Sequence, residues 1–188
     1  MMFEQERKQK LAEKERIAAQ AADMIEEGNT LLLDAGTTTF YLAKKLKKFG
    51  HLRVITNSLL ILNELKDSRN IELTLAGGIF RPETQAFIGP MAEECLDMVR
   101  VDLAFLGANG LDLEEGLTTP NLLEAAMKRK MIRIAKQVTV LADHSKIGKV
   151  SYGKVAGLTD VDSFILDTGV PEEFVSALNQ RGIQVTLA

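Results

Sequence analysis

Among the residues of this chain able to do chemistry, Asp34-Ala35-Gly36-Thr37-Thr38-Thr39 form the segment that best suits an anion. A glycine lets backbone and ligand approach closely, the amides at a helix start point outward, and consecutive threonine hydroxyls donate to an oxyanion. The same residues would serve as a plain helix cap, with Thr37 or Thr38 capping and Asp34 ending a strand. Three threonines in a row exceed what one cap uses, so phosphate binding is the preferred reading. The spacing is neither that of a Walker A loop nor that of a G-x-G-x-x-G fingerprint.

Four further stretches carry the same residue types. Thr56-Asn57-Ser58 reads equally as a cap or as a ligand contact, and Ala76-Gly77-Gly78 as a turn or as a place where backbone meets ligand, with Arg81 just beyond as a phosphate partner or a surface residue. Gly107-Ala108-Asn109-Gly110 sets one amide side chain between glycines. Asp143-His144-Ser145-Lys146 supplies an ammonium for a phosphate, and Asp143 either holds it in position or accepts from a sugar hydroxyl. Glu124 and Lys128 stand four apart on one helix face, an ordinary surface pair unless that helix opens beside the loops. One cysteine, Cys95, and two histidines, His51 and His144, offer neither a disulfide nor a metal cluster, so no metal or cofactor is expected.

Something must bring these stretches together. Short apolar runs at residues 30–33, 52–55, 72–75, 101–106, 138–141, 163–166 and 184–187 read as strands. Helical periodicity at 39–48, 58–66, 91–98, 122–135 and 172–180 reads as helices between them. This alternation predicts an α/β fold, a mainly parallel sheet with helices on both faces, whose ligands sit beyond the carboxyl ends of the strands. All five polar stretches follow strands, so all five are expected at one rim. Ahead of them, residues 3–27 read as one long helix without Pro or Gly. Its first half, to Arg16, is charged enough to be a solvated connector.

The chain has 188 residues, enough for one well-buried core, and 46% of them are apolar. A net charge of −3 and a pI near 5.5 argue against nucleic-acid binding by this chain alone. No apolar run is long enough to cross a bilayer, and the first ten residues are charged rather than apolar, so a cytoplasmic, membrane-free protein is expected.

Six stretches together resemble the C-terminal sensor domain of the DeoR family of bacterial transcription regulators: residues 34–38, 56–58, 76–78, 105–110, 116–119 and 142–148, in the family's order and spacing. The resemblance spans about residues 15–167. It implies a fold similar to ribose-5-phosphate isomerase and NagB-like proteins and a phosphorylated sugar as effector. Gly36, Thr37, Thr38 and Lys146 would hold the phosphate, and Asn57, Asn109, Glu124, Lys128 and Asp143 would read the hydroxyls. Thr118-Thr119-Pro120-Asn121 with Glu124 and Lys128 is similar to members that sense fructose phosphates.

Family members carry a winged helix-turn-helix before this domain, and nothing like it stands here. Residues 1–16 are therefore expected to be a truncated connector helix and 17–188 the sensor, the doubled Met1-Met2 marking a new start. DNA would be met only through the missing N-terminal domain, and a homo-oligomer matches symmetric half-sites. Two other readings stay open. A sugar-phosphate isomerase needs a carboxylate base; Asn109 stands where related isomerases have acids, so no catalytic residue is assigned, although Glu124 is a candidate. A purely structural module would bind no sugar phosphate at all. If the sensor reading holds, Lys146→Ala weakens effector binding at least tenfold with the fold intact, and unchanged affinity in calorimetry would remove Lys146 from the site.

Overall fold

The computed structural model describes residues 3–188, so the expectation attached to Met1-Met2 lies outside the described residues. Two helices come first, α1 (Phe3–Lys8) and α2 (Leu11–Ala22). They are followed by β1 (Thr30–Leu33), α3 (Thr37–Leu46), β2 (Leu52–Thr56), α4 (Leu59–Leu65) and β3 (Ile71–Leu75). A hairpin of β4 (Ile79–Arg81) and β5 (Ala86–Ile88) leads into α5 (Pro90–Asp97), β6 (Val101–Gly107), β7 (Gly110–Asp112) and β8 (Gly116–Thr119). The chain closes with α6 (Leu122–Ile134), β9 (Ala135–Ala142), β10 (Gly153–Ala156), β11 (Ser163–Leu166), α7 (Glu172–Gln180) and β12 (Gln184–Leu187).

Seven of these strands form one sheet in the order β12-β11-β9-β6-β1-β2-β3, and every pairing in it is parallel. Successive side chains of a strand point to opposite faces, and both faces are covered here. Leu31 and Leu33 of β1 and Phe105 of β6 enter a core with α2, α3 and α4; Leu32, Ala104 and Leu106 enter a second core with α5, α6 and α7. That double burial makes the five inner strands read as nearly continuous apolar runs, while the half-exposed edge strands β3 and β12 alternate apolar with polar residues. The chain leaves β1 toward β2 on one side, while β6 pairs on the other. The crevice between β1 and β6 is thus a topological switch point, the place where such sheets bind ligands.

Two parts of the fold differ from expectation. The N-terminal helix is not continuous from 3 to 27: it breaks at Gln9-Lys10, where Lys10 takes a left-handed backbone with φ of 53°, and it ends at Ala22. A non-glycine residue in that region costs about 1 kcal/mol. No Pro or Gly announces the break, because its cause is tertiary. Lys14, expected on a solvated face, is 1% exposed and donates from Nζ to the Glu6 carbonyl at 2.6 Å, folding α1 back onto the body. This stretch is therefore docked through Glu6, Arg7 and Lys14, while most of its other described residues stay exposed, as expected.

The second difference is a pair of small antiparallel sheets, β4-β5 and β10-β8-β7. Their strands are three or four residues long, too short for periodicity to register. Gly78 and Gly110 serve this packing. Gly78 has φ of 153°, and a Cβ there would stand 2.6 Å from the Ile88 carbonyl oxygen; one on Gly110 would meet that of Lys149 at 2.3 Å.

Leu32 is fully buried at the centre of the sheet. Truncating it to alanine is expected to destabilise the fold by about 2–5 kcal/mol, read as a lower urea midpoint with unchanged slope. A loss below 1 kcal/mol would contradict the central place given to β1.

Candidate functional site

Beyond the ends of β1, β2, β6 and β9 lies one cavity, lined by residues from each of these strand ends, from α6 and from α1. The loop after β1 forms its floor. Gly36 is the residue before α3, in an extended conformation, and no side chain caps the helix: Thr37 and Thr38 open its first turn and line the cavity. By contrast, Ser58 caps α4, accepting from the Ile61 amide at 3.2 Å, and Asn121 caps α6 through the amides of Leu123 and Glu124. The amides at the α3 start are thus left to whatever occupies the cavity, together with the positive end of the helix dipole. The backbone at Gly36 is extended, and a Cβ there would crowd Thr39 Oγ1 at 3.1 Å, so glycine relieves a close contact rather than enabling a turn.

Asp34 ties this loop to β6 and α6. It is 3% exposed, ion-pairs with Lys128 Nζ and accepts from the Gly107 amide at 3.1 Å, while Lys128 also donates to the Gly107 carbonyl at 2.8 Å. Burial pushes the Asp34 carboxyl up from its ordinary range, against the pull of the Lys128 ammonium and the Gly107 amide. The helix carrying Glu124 and Lys128 does open beside the loops. Glu124 itself sits between three partners: Arg81 Nε at 3.2 Å, Thr84 Oγ1 at 3.0 Å and Thr119 Oγ1 at 3.3 Å. Asn109 accepts from the Thr119 hydroxyl at 3.0 Å.

The far wall is the segment after β9. Asp143 is buried, and its Oδ1 accepts from the Ser145 amide at 2.9 Å, shaping the turn that carries Lys146. His144 lies outside the cavity lining, clamped by Asp167 through its amide and Nδ1, both at 2.6 Å. Burial raises the Asp167 carboxyl, but the bonds from the His144 ring and from the amides of His144 and Gly169 hold it lower than usual. Lys146 reaches the cavity, and there its Nζ pairs with Glu6 Oε1 of α1 at 2.7 Å. Behind them, burial draws the Lys14 ammonium down from its ordinary value, partly offset by Asp143 and Glu6.

Of the residues singled out in the sequence, Asp34, Gly36, Thr37, Thr38, Asn57, Gly107, Asn109, Glu124, Lys128, Asp143 and Lys146 line this cavity. Asn57 does so while spending its side chain on the frame, accepting from the Ala35 amide and donating to the Phe87 carbonyl, each at 3.0 Å. Seven others do not line it. Thr39 turns its hydroxyl back onto the carbonyls of Asp34 and Gly36, Thr56 onto that of Leu33, and Ser58 is a helix cap. Gly77 and Gly78 follow β3, which is an edge strand two places from β1 and three from β6, at about 4.8 Å per strand. Arg81 is spent on Glu124, and Gly110 packs under the segment that holds Lys149. Sequence reasoning missed Thr84, Ala86, Met127 and above all Glu6. Met127 adjoins Lys128 and could have been found by helix spacing; Glu6, in a stretch of mixed charge, carries no local signal.

Compared with known proteins, residues 9–168 match the family model described as the DeoR C-terminal sensor domain. An HTH-type transcriptional regulator named GlpR from Haloferax volcanii is 39% identical over 97% of this chain and 71% of its own length. The HTH-type transcriptional repressor GlcR of Bacillus subtilis is 37% identical over 92% of this chain and 66% of its own. The chain thus spans about two thirds of the length of these curated relatives. Among solved structures, ribose 5-phosphate isomerase A from Methanocaldococcus jannaschii matches with a TM-score of 0.51, at 19% identity over 71% of this chain and 53% of that one. The eIF2B delta subunit from Chaetomium thermophilum matches with a TM-score of 0.53, at 16% identity over 75% of this chain and 50% of that one. Among the described residues no helix is long and apolar enough to cross a membrane.

The buried pair at the cavity wall makes a direct prediction. Lys128→Met strands a buried carboxylate and is expected to cost about 3–5 kcal/mol, whereas Asp34→Asn with Lys128→Met recovers most of that loss. Chemical denaturation of the single and double variants measures it, and strictly additive losses would mean that the two side chains do not depend on each other.

Proposed function

The chain belongs to the DeoR C-terminal sensor domain family, and from that premise we propose that its cavity binds a phosphorylated sugar as a regulatory effector. The observation that carries the reading is the uncapped start of α3, with Thr37 and Thr38 opening into the same cavity as Lys146. Free amides, a helix dipole, two hydroxyls and an ammonium form a donor set suited to a phosphate dianion. Asn109, Glu124 and Lys128, which line the same cavity, offer acceptors and donors to the hydroxyls of an attached sugar. A fructose phosphate is the candidate suggested by the Thr118–Asn121 run beside them.

Binding rather than turnover is the preferred chemistry. Proton transfer along a sugar requires a carboxylate with an oxygen available to the substrate. Glu124 Oε1 is engaged by Arg81 and Thr84, and its Oε2 shares the single Thr119 hydroxyl proton with Asn109 and suits accepting from a sugar hydroxyl. Asp34 is committed to Lys128, and Asn109 is an amide.

The relatives are transcriptional regulators and extend well beyond the part matched here. In a full-length protein of that kind, the domain of residues 17–188 would act as a cytoplasmic sensor whose effector shifts the spacing of DNA-binding modules across a homo-oligomer. Residues 1–16 would be the connector to those modules. Such a signal requires the ligand to favour one of two arrangements.

A melting screen tests the reading with inorganic phosphate, ribose 5-phosphate, fructose 1-phosphate, fructose 6-phosphate and unphosphorylated fructose. At a hundred times its dissociation constant the effector should add about 2.7 kcal/mol, roughly 5–10 °C for a chain of this size, while fructose adds nothing. Silence across the whole panel would defeat the proposal, and conversion of any of these sugars would make the protein an enzyme instead.

A further inference from the structure

The ammonium that an incoming phosphate needs is already taken, and the group that takes it comes from the connector. Glu6 and Lys146 are 140 residues apart in sequence, yet their charged atoms lie 2.7 Å apart inside the cavity. We propose that Glu6 is a resident anion of the effector site: its carboxylate and the ligand's phosphate compete for Lys146, so that ligand entry expels α1 and passes the binding event to the N-terminal end of the chain. This rests on the cavity being an anion site, as argued above.

Charge supports the competition. Among the described residues, four carboxylates line the cavity, Glu6, Asp34, Glu124 and Asp143, against the two ammoniums of Lys128 and Lys146. Arg81 on Glu124 and Lys14 behind Glu6 bring the group only to neutrality. With Glu6 in place, a phosphate would enter a site that offers it no net positive charge. Once Glu6 leaves, Lys146 is released and the buried Lys14 loses its bond to the Glu6 carbonyl, so two ammoniums become available together.

Space points the same way. With α1 laid across it the cavity measures about 70 Å³, against roughly 300–1,000 Å³ for sites that hold small ligands.

The helix is also built to let go. α1 has six residues, far fewer than an isolated helix needs for stability, and it joins α2 through the left-handed Lys10. Among its described contacts besides those of Glu6 are the Arg7 guanidinium over the Phe40 ring at 5.4 Å and a long bond, 3.4 Å, from the Tyr41 hydroxyl to the Arg7 carbonyl.

The probe is inorganic phosphate, titrated by calorimetry into the unmodified chain, into Glu6→Gln, and into Glu15→Gln, which removes one exposed acid of α2 outside the cavity. Hydrogen exchange of amides 5–10 is followed in parallel. Glu6→Gln should bind phosphate about tenfold more tightly than the unmodified chain and exchange fast without it. The unmodified chain should lose protection there only on adding phosphate, and Glu15→Gln should behave as the unmodified chain does. Equal affinities for all three, an equal gain in Glu15→Gln, or unchanged exchange at saturating phosphate would overturn the competition while leaving the anion site in place. If neither phosphate nor any phosphorylated sugar binds any of the three, the anion site itself falls and the competition with it.

Discussion

One buried ion pair determines how the rest of the site is arranged. Asp34 ends β1, Lys128 projects from α6, and both bind the backbone of Gly107 at the end of β6. The two central strands and a helix of the second layer are thereby tied at a single point, with the charges 4% and 9% exposed. Such a pair is weak evidence for stability, because desolvation offsets much of its attraction. Its value here is positional. Neither partner can leave without stranding the other, so the seam between β1 and β6 keeps one width and the loop that starts α3 keeps one orientation.

A fixed wall on one side contrasts with a yielding one on the other. The Lys146 turn is itself rigid, shaped by Asp143 and braced by the Asp167 clamp on His144. What lies on top of it is not part of the sheet, and its described contacts are the Glu6 pair with Lys146, the bonds with Lys14 and Tyr41, and the Arg7 guanidinium over the Phe40 ring. Rigid cation and loosely held acid are the elements that a binding event needs in order to be felt elsewhere, since a ligand changes an equilibrium only by preferring one of two states.

How much of this could be read beforehand depends on the range of the interaction involved. The five inner strands of the main sheet were legible because burial on both faces leaves a nearly uninterrupted apolar mark in the sequence, and the edge strands β3 and β12 through their alternation of apolar with polar residues. The cavity was legible wherever it is built from residues that follow a strand of the switch point, as with Gly36, Thr37, Asn109 and Lys146. It was misread where the same residue types serve the frame: Thr39, Thr56 and Ser58 spend their hydroxyls on backbone groups within a few residues or on the next strand. Gly77 and Gly78 were assigned by type alone, and only strand order reveals that β3 lies too far out. Glu6 was invisible for a different reason. Nothing in a run of alternating charge marks which acid will meet a lysine from the opposite end of the chain, and the break at Lys10 that brings it there has no local signature.

The β4-β5 hairpin bears on how such a site can change over time. It pairs with itself and is tied to the segment after β2 by the bonds between Asn57 and Phe87, the Ser58 bridge to Ala86 and the Leu59 amide on the Gln85 carbonyl, while its turn places Thr84 and Ala86 against the ligand space. Its base is anchored in the core through the buried Ala86 and Ile88, but at its exposed tip, Pro82 and Glu83, the chain tolerates exchange that a central strand would not. Selectivity among related small molecules can therefore drift by altering this one flap, leaving the parallel scaffold and its anion-holding seam untouched.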